Sequence, residues 1–164
     1  MFRFYQEKKY LSISLLVIIL DGVITYLIPS YFNKLNYFYP MLTISLIPIF
    51  INKKNYYLYI ILLGSLYDLL YSSIFLYHII IFIILINIDI KIAKYFKYSL
   101  LLFLLLSLLN IIIYDGIGFI LIIITSYQQV NFYDLIYKID HSILLNIMSV
   151  FVFWFMFKKD IHHT

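Results

Sequence analysis

The sequence predicts an all-α membrane protein with about six transmembrane helices in one domain, residues 1–164. Of its residues, 65% are hydrophobic and 12% charged, whereas soluble domains are typically about 45–50% apolar and about 25% charged. So little polar surface cannot cover so large an apolar mass, which indicates lipid as the surrounding solvent. Apolar runs separated by short polar segments predict helices at about 10–29, 37–51, 56–70, 74–88, 98–127 and 142–157.

The first apolar run, Tyr10 to Pro29, follows a basic start and is long enough to cross a bilayer. A cleaved signal peptide begins in the same way but ends at a small-x-small site. No such site occurs before Ser30. We therefore expect an uncleaved helix that ends at Pro29, because proline cannot continue the helical hydrogen bonds.

The middle runs are shorter. The second, Tyr37 to Ile51, contains Pro40 and Pro48. A polar turn at Tyr71–Ser73 separates the third run from the fourth. Both of these runs are too short to span a bilayer comfortably unless their ends lie within the protein or the bilayer thins.

The last part of the chain contains one very long apolar run. Residues 98–127 include Asp115-Gly116-Ile117-Gly118, so this run is either one tilted helix or a helix broken at the glycines, with Asp115 in the break. Residues 128–141 form the longest polar stretch, and the final helix follows it from Ser142.

The basic residues predict the orientation. With six spans and a cytoplasmic N-terminus, ten of the twelve Lys and Arg residues face the cytoplasm and two, Lys34 and Lys138, face outside. This asymmetry follows the positive-inside rule and places both termini of a multi-pass membrane protein in the cytoplasm. The cytoplasmic set is Arg3, Lys8, Lys9, Lys53, Lys54, Lys91, Lys94, Lys97, Lys158 and Lys159.

Aromatic residues surround both predicted outer loops. Tyrosine prefers the headgroup level of the bilayer, so these segments are expected to lie along the membrane surface. We favour interfacial anchoring over an aromatic patch that binds a partner. The residues are Tyr31, Phe32, Tyr37, Phe38, Tyr39, Tyr127, Phe132, Tyr133 and Tyr137.

Three aspartates, Asp21, Asp68 and Asp115, lie inside apolar runs. An aspartate at the centre of a spanning helix costs about 2.5–3.5 kcal/mol on insertion scales, so it usually faces the bundle interior. For Asp21 a hydrogen bond to a neighbouring helix is preferred over proton or ion handling. Gly64 and Asp68 are four residues apart and share one helix face, where another backbone could approach closely beside a carboxylate.

The pairs Tyr67-Asp68 and Tyr114-Asp115 raise an intramembrane aspartyl protease as an alternative, since two carboxylates sharing a proton can activate water. That class also needs Gly-x-Gly-Asp, whereas this chain has Asp-Gly-Ile-Gly. The chain has no cysteine and no nucleotide, zinc-protease or serine-hydrolase motif. We expect no enzyme activity, no cofactor or metal, and no nucleic-acid binding.

Polar side chains on the predicted helices have a structural interpretation. His78 is expected to pack as a neutral residue rather than as a metal ligand. Asn87, Asn110 and Asn146 can each bridge helices through side-chain hydrogen bonds.

These features together resemble the MreD family of small rod-shape-determining membrane proteins. The strongest match runs from Gly64 to Ser73, where Gly-x-x-x-Asp with Tyr67 precedes a small-residue turn between helices three and four. Ile143-Leu144-Leu145-Asn146 in the last helix and Leu20-Asp21-Gly22 in the first, with Pro40 leading the second, also match. The family usually has a glycine shortly after the turn, where this chain has Ile74-Phe75-Leu76.

The resemblance implies a fold similar to the substrate-binding (S) subunits of energy-coupling-factor transporters. It also implies a non-enzymatic scaffold that acts with an MreC-like protein in the elongation complex of MreB, RodA and a class B penicillin-binding protein, organising cell shape and peripheral peptidoglycan synthesis. Structural or partner-contact candidates are Asp21, Gly64, Tyr67, Asp68, Asp115 and Asn146. Because of the shared fold, the alternative is a substrate-binding subunit of a small-molecule (vitamin) transporter.

Overall fold

Every secondary-structure element in the described part of the chain is an α-helix. The computed structural model describes residues 2–27, 39–51, 56–71, 76–125 and 131–162. The all-α class predicted from the sequence is therefore confirmed for these residues. The helices are α1 (Phe2–Leu27), α2 (Pro40–Ile44), α3 (Ile47–Ile51), α4 (Tyr56–Tyr71), α5 (Tyr77–Ala93), α6 (Leu100–Thr125) and α7 (Phe132–His162).

Two helical hairpins pack around a short central segment. Helices α4 and α5 form one hairpin, and α6 and α7 form the other. Helix α2 contacts α1, α6 and α7, while α3 contacts α4 and α7. All five residues of α2 are buried, as are Ser45 and Leu46 after it and Ile47 at the start of α3. The α2–α3 segment is thus the centre of the packing.

The second predicted helix, 37–51, is divided into α2 and α3. Proline lacks a backbone N–H, and its ring clashes with the carbonyl four residues earlier, so Pro48 cannot continue a helix past Ile44. Ser45 and Leu46 make the turn, and the Leu46 N–H donates to the Thr43 carbonyl at 3.3 Å. Pro40, in contrast, stands at the first helical position, where no N–H is required.

The fifth predicted helix is continuous. Helix α6 passes through Asp115, Gly116 and Gly118 without interruption. Of the two alternatives for residues 98–127 the unbroken helix is found, and a break at Asp115 is wrong. A glycine inside a helix costs about 1 kcal/mol of helix stability. The packing of the long helix α6 against α7 can offset this cost.

The last helix begins ten residues before its predicted start at Ser142. The Asp134 carboxylate accepts a hydrogen bond from the Asn131 N–H at 2.9 Å, and the Asp134 N–H donates to the Asn131 carbonyl. This reciprocal pairing supplies the cap that begins a helix. Much of the polar stretch 128–141 is therefore helical, because a local cap outweighs its polar composition.

The remaining bounds differ by a few residues. Helix α1 begins at Phe2 instead of residue 10, and α4 matches its prediction within one residue. Helix α5 runs from Tyr77 to Ala93 where residues 74–88 were predicted. Pro29, most of the first outer loop and Ser72–Phe75 lie outside the described residues.

Apolar side chains cover much of the surface. Leu69 is 75% exposed and Leu101 70%. Within the described ranges, one segment, Leu100–Leu121, is both long and apolar enough to cross a membrane, with a mean hydropathy of 2.3 over 22 residues. Shorter apolar helical segments cover Pro40–Phe50, Tyr56–Tyr71 and Asn146–Lys158.

Candidate functional site

Polar and ionisable side chains meet in the interior, between the helices. The polar cluster is defined here as the residues that join α1, α2, α4, α5, α6 and α7 near one end of the molecule. Most of its members are buried, and each has an interhelical hydrogen bond or ion pair. The members are Asp21, Tyr39, Tyr67, Asp68, His78, Tyr114, Asp115, Lys138 and Asn146.

Asp68 caps a helix to which it does not belong. Its Oδ1 accepts a hydrogen bond from the His78 N–H at 2.9 Å, and its Oδ2 accepts one from the Ile79 N–H at 3.4 Å. These donors belong to the second and third residues of α5, which a capping side chain normally satisfies. The residue at the cap position itself, Leu76, has no side-chain acceptor. Asp68 on α4 therefore fixes the start of α5.

The same carboxylate orients a buried histidine. Asp68 Oδ1 lies 2.8 Å from His78 Nδ1, and His78 Nε2 lies 3.1 Å from the Tyr114 hydroxyl on α6. If Nδ1 carries the proton and donates to the carboxylate, Nε2 accepts from the phenol. This Asp–His–Tyr chain connects α4, α5 and α6. Within the described residues there is no group of three or more metal-ligating side chains.

Asp21 joins α1 to α4. The Tyr67 hydroxyl donates to Asp21 Oδ2, and the Tyr71 hydroxyl, one turn later, donates to the Ile18 carbonyl at 2.7 Å. Asp21 is 6% exposed. The tyrosines at positions 67 and 71 share a face of α4, so a single side of that helix makes both contacts.

Gly64 lies where α5 approaches α4 most closely. A Cβ at this position would stand 2.8 Å from the Ile79 Cα and 3.0 Å from its backbone nitrogen. Such contacts are shorter than carbon atoms tolerate, and the atoms in the way belong to the backbone. Gly64 and Asp68 therefore both stabilise the α4–α5 contact. Gly64 leaves room for the α5 backbone, and Asp68 accepts hydrogen bonds from the first N–H groups of that helix.

Asp115 and Asn146 hold the start of α2 against α6 and α7. Asp115 Oδ1 accepts a hydrogen bond from the Tyr39 hydroxyl at 3.1 Å and pairs with the Lys138 ammonium at 2.9 Å. The Asn146 side-chain oxygen accepts from the Tyr39 N–H at 2.9 Å. The Asp115 side chain is fully buried, whereas that of Lys138 is 35% exposed. An ion pair of this kind connects α6 to α7 at the edge of the interior.

The six residues singled out from the sequence thus all make contacts between helices. Asp68 and Asp115 have no hydrogen bond to each other within the described part of the chain, since each has its own partners. The two aspartates of the protease alternative are thus each bonded to groups other than the second aspartate in the part of the chain that the structure describes. Contact of these six residues with a partner protein stays a prediction.

Four polar contacts have partners that the sequence did not reveal. Asn110 was expected to bridge helices, and it donates to Asp89 Oδ2 at 3.0 Å. Thr43 Oγ1 lies 3.1 Å from Ser107 Oγ and 3.0 Å from Ser149 Oγ. The ion pair of Lys138 with Asp115 is the fourth. Helical spacing carried a signal for Asp89, since it continues the buried face of α5 formed by His78, Phe82, Leu85 and Ile86.

The space inside the polar cluster is small. Tyr39, Tyr67, His78 and Tyr114 surround a cavity of about 10 Å³, and a single water needs about 10–15 Å³. Pockets for small organic ligands measure about 300–1,000 Å³. In this conformation the aromatic side chains therefore fill the interior, and a vitamin-sized ligand would have to displace them.

Comparison with protein families, with curated proteins and with solved structures gives no match for this chain.

Proposed function

We propose that the chain is an integral plasma-membrane protein with about six spanning helices that acts as a non-enzymatic scaffold of the MreD type. In this role it binds an MreC-like protein and contributes to cell shape and peripheral peptidoglycan synthesis, within a complex that also holds MreB, RodA and a class B penicillin-binding protein.

The distribution of polar and apolar side chains is the observation that supports the membrane location in this proposal. Many leucines and isoleucines are exposed, with Leu58 65% and Ile124 70% exposed, while the polar residues Ser107, Asn110 and Asp115 are at most 1% exposed. A water-soluble protein normally has the opposite arrangement. In hydrocarbon, polar side chains face the bundle interior and hold helices together there. The observed arrangement is the one expected in lipid.

Helix-end contacts are consistent with the proposed topology. Lys9 near the start of α1 donates to the Met156 carbonyl near the end of α7 at 2.7 Å, and Tyr57 at the start of α4 donates to Asn87 late in α5 at 2.5 Å. With six alternating spans, both contacts join segments on the cytoplasmic side. The polar cluster then lies towards the outer side.

The residues behind the MreD resemblance take part in helix packing. Gly64 and Asp68 form the α4–α5 junction, and Asn146 anchors the start of α2. The family usually has a glycine shortly after the α4–α5 turn, where this chain has Ile74-Phe75-Leu76. Leu76 has φ 67°, a left-handed conformation that glycine adopts readily.

A scaffold role also agrees with the use of the polar groups. The interior carboxylates are engaged with tyrosine, histidine, asparagine, lysine and backbone N–H groups of neighbouring helices. The exposed apolar faces, such as that around Leu69 and Leu70, are compatible with contact to lipid tails or to another membrane helix.

Co-purification tests the proposal. The tagged chain, co-expressed with the MreC-like protein of the same organism and extracted in mild detergent, is expected to retain that protein. An unrelated single-span protein, expressed at the same level, provides the control for non-specific association. Recovery of no complex above the control would refute the partner.

Depletion in the native organism tests the cellular role. Rod-shaped cells are expected to become round when the chain is depleted, and unchanged rods would argue against shape control. Tight binding of a vitamin by the purified protein would instead favour the substrate-binding subunit of a small-molecule transporter.

A further inference from the structure

A cleft lies at the end of the molecule opposite the polar cluster. It has a volume of about 630 Å³, and residues from the ends of α3, α4 and α5 and from the connection to α6 line it. Tyr56 and Tyr98 form part of its wall, and Ile90 and Phe96 provide apolar surface. This volume is far larger than the cavity inside the polar cluster and falls in the range of ligand sites.

Two lysines give the cleft its charge. Lys94 and Lys97 both line it and are exposed, and no acidic residue is among the lining residues. Neither ammonium group has an ion pair within the described residues. The nearest acidic residue in the sequence, Asp89, is 1% exposed and bonded to Asn110. The cleft is therefore basic, and its charge is not neutralised by its own walls.

The position of the cleft determines which anions reach it. In the proposed topology the α5–α6 connection lies on the cytoplasmic side, at the level where phospholipid headgroups are found. Phe96 is 58% and Tyr95 85% exposed on the same connection, and aromatic side chains of this kind favour the headgroup region. Basic pockets at this depth suit anionic lipid headgroups.

We propose that this cleft binds an anionic phospholipid of the cytoplasmic leaflet. The lipid phosphate lies between the ammonium groups of Lys94 and Lys97, and an acyl chain follows the apolar wall that includes Ile90. The inference rests on the membrane location proposed above but not on the scaffold role.

Lipid binding to the purified protein tests the inference. Native mass spectrometry in detergent is carried out with added phosphatidylglycerol, with cardiolipin and with zwitterionic phosphatidylcholine. The anionic lipids are expected to bind more tightly than phosphatidylcholine. At about 1 kcal/mol per lysine, the Lys94→Gln/Lys97→Gln variant is expected to bind them about thirtyfold more weakly.

Two control variants separate the cleft from general surface charge. Lys91→Gln/Lys158→Gln removes the same charge from exposed residues that do not line the cleft and is expected to bind like the unmodified protein. Lys94→Arg/Lys97→Arg keeps both charges and is expected to retain binding. Equal losses in both glutamine variants, or no loss in either, would overturn the proposal.

Competition and fractionation complete the test. Inorganic phosphate at millimolar concentration is expected not to displace the lipid, and full displacement would identify a free phosphate site instead. Membrane fractionation separates this inference from the proposed location: a chain found outside the membrane fraction refutes the location, whereas a membrane-bound chain without anionic preference refutes only the lipid site.

Discussion

Leu76 stands at a position where its side chain and its backbone have conflicting preferences. Its φ of 67° places it in the left-handed region, and it is the only non-glycine residue there among the described residues. The conformation lets the chain turn into α5 while Asp68 satisfies the first N–H groups of that helix. The tertiary contact therefore holds a residue in a conformation that costs about 1–2 kcal/mol for an L-residue with a side chain.

Leu76→Gly is expected to raise the free energy of unfolding by about 1 kcal/mol, because glycine adopts a positive φ without steric strain. Thermal unfolding in detergent, followed by circular dichroism, measures the change. As a control, Leu69→Gly, on the exposed face of α4, is expected to lower stability by about 1 kcal/mol through lost helix propensity. Destabilisation by both substitutions to a similar extent would contradict the strained conformation.

At the scale of the helix, the α4–α5 hairpin includes a close approach of the two backbones at Gly64. Gly64 meets the backbone of Ile79 directly, whereas Gly116 on α6 has no atom within 4 Å of its Cβ position. Both glycines lie inside helices, so they differ in their surroundings and not in their secondary structure.

Gly64→Ala is expected to lower the free energy of unfolding by about 2 kcal/mol, as for other overpacked contacts. Gly116→Ala is expected to raise it by about 0.5–1 kcal/mol, because alanine has the higher helix propensity and open space is available. Unfolding of the two variants under identical detergent conditions gives the comparison. Equal effects of the same sign would show that close packing at Gly64 is not important for stability.

The α6–α7 hairpin has an electrostatic contact instead. Removing Lys138 leaves the buried Asp115 carboxylate without its ammonium partner, so Lys138→Gln is expected to destabilise the protein by about 2 kcal/mol. The double variant Lys138→Gln/Asp115→Asn removes the buried charge and is expected to recover much of that loss. A double-mutant cycle on unfolding free energies measures the coupling, and additive losses would mean that the ion pair does not form.

At the scale of the whole molecule, the proposed topology makes opposite predictions for two exposed tyrosines. The chain contains no cysteine, so single introduced cysteines report without background. Tyr133 on α7 and Tyr95 after α5 are 73% and 85% exposed. A membrane-impermeant maleimide added to intact cells is expected to label Tyr133→Cys and to label Tyr95→Cys only after permeabilisation. Labelling of Tyr95→Cys in intact cells would show that the proposed topology is inverted or wrong.

Local signals in the sequence were sufficient for some features of the structure. Hydrophobic runs located the major helices, because burial of apolar surface follows composition over long segments. Gly64 with Asp68 marked a close helix contact, whereas residues 37–51 were predicted as one helix and form α2 and α3. Each of these inferences depends on residues that are near one another in the chain, where spacing alone decides which side chains share a face.

The tertiary structure determined which side chains bond to one another across helices and how the interior is filled. Only packing could show that Asp68 caps α5, that Lys138 pairs with Asp115 on the preceding helix, and that aromatic side chains fill the interior of the polar cluster. It also decided that α6 continues through its glycines. The physical reason is that composition alone shows which polar side chains are unstable in apolar surroundings and need a partner. Which hydrogen-bond or ion-pair partner each one has depends on distances that only the folded chain establishes.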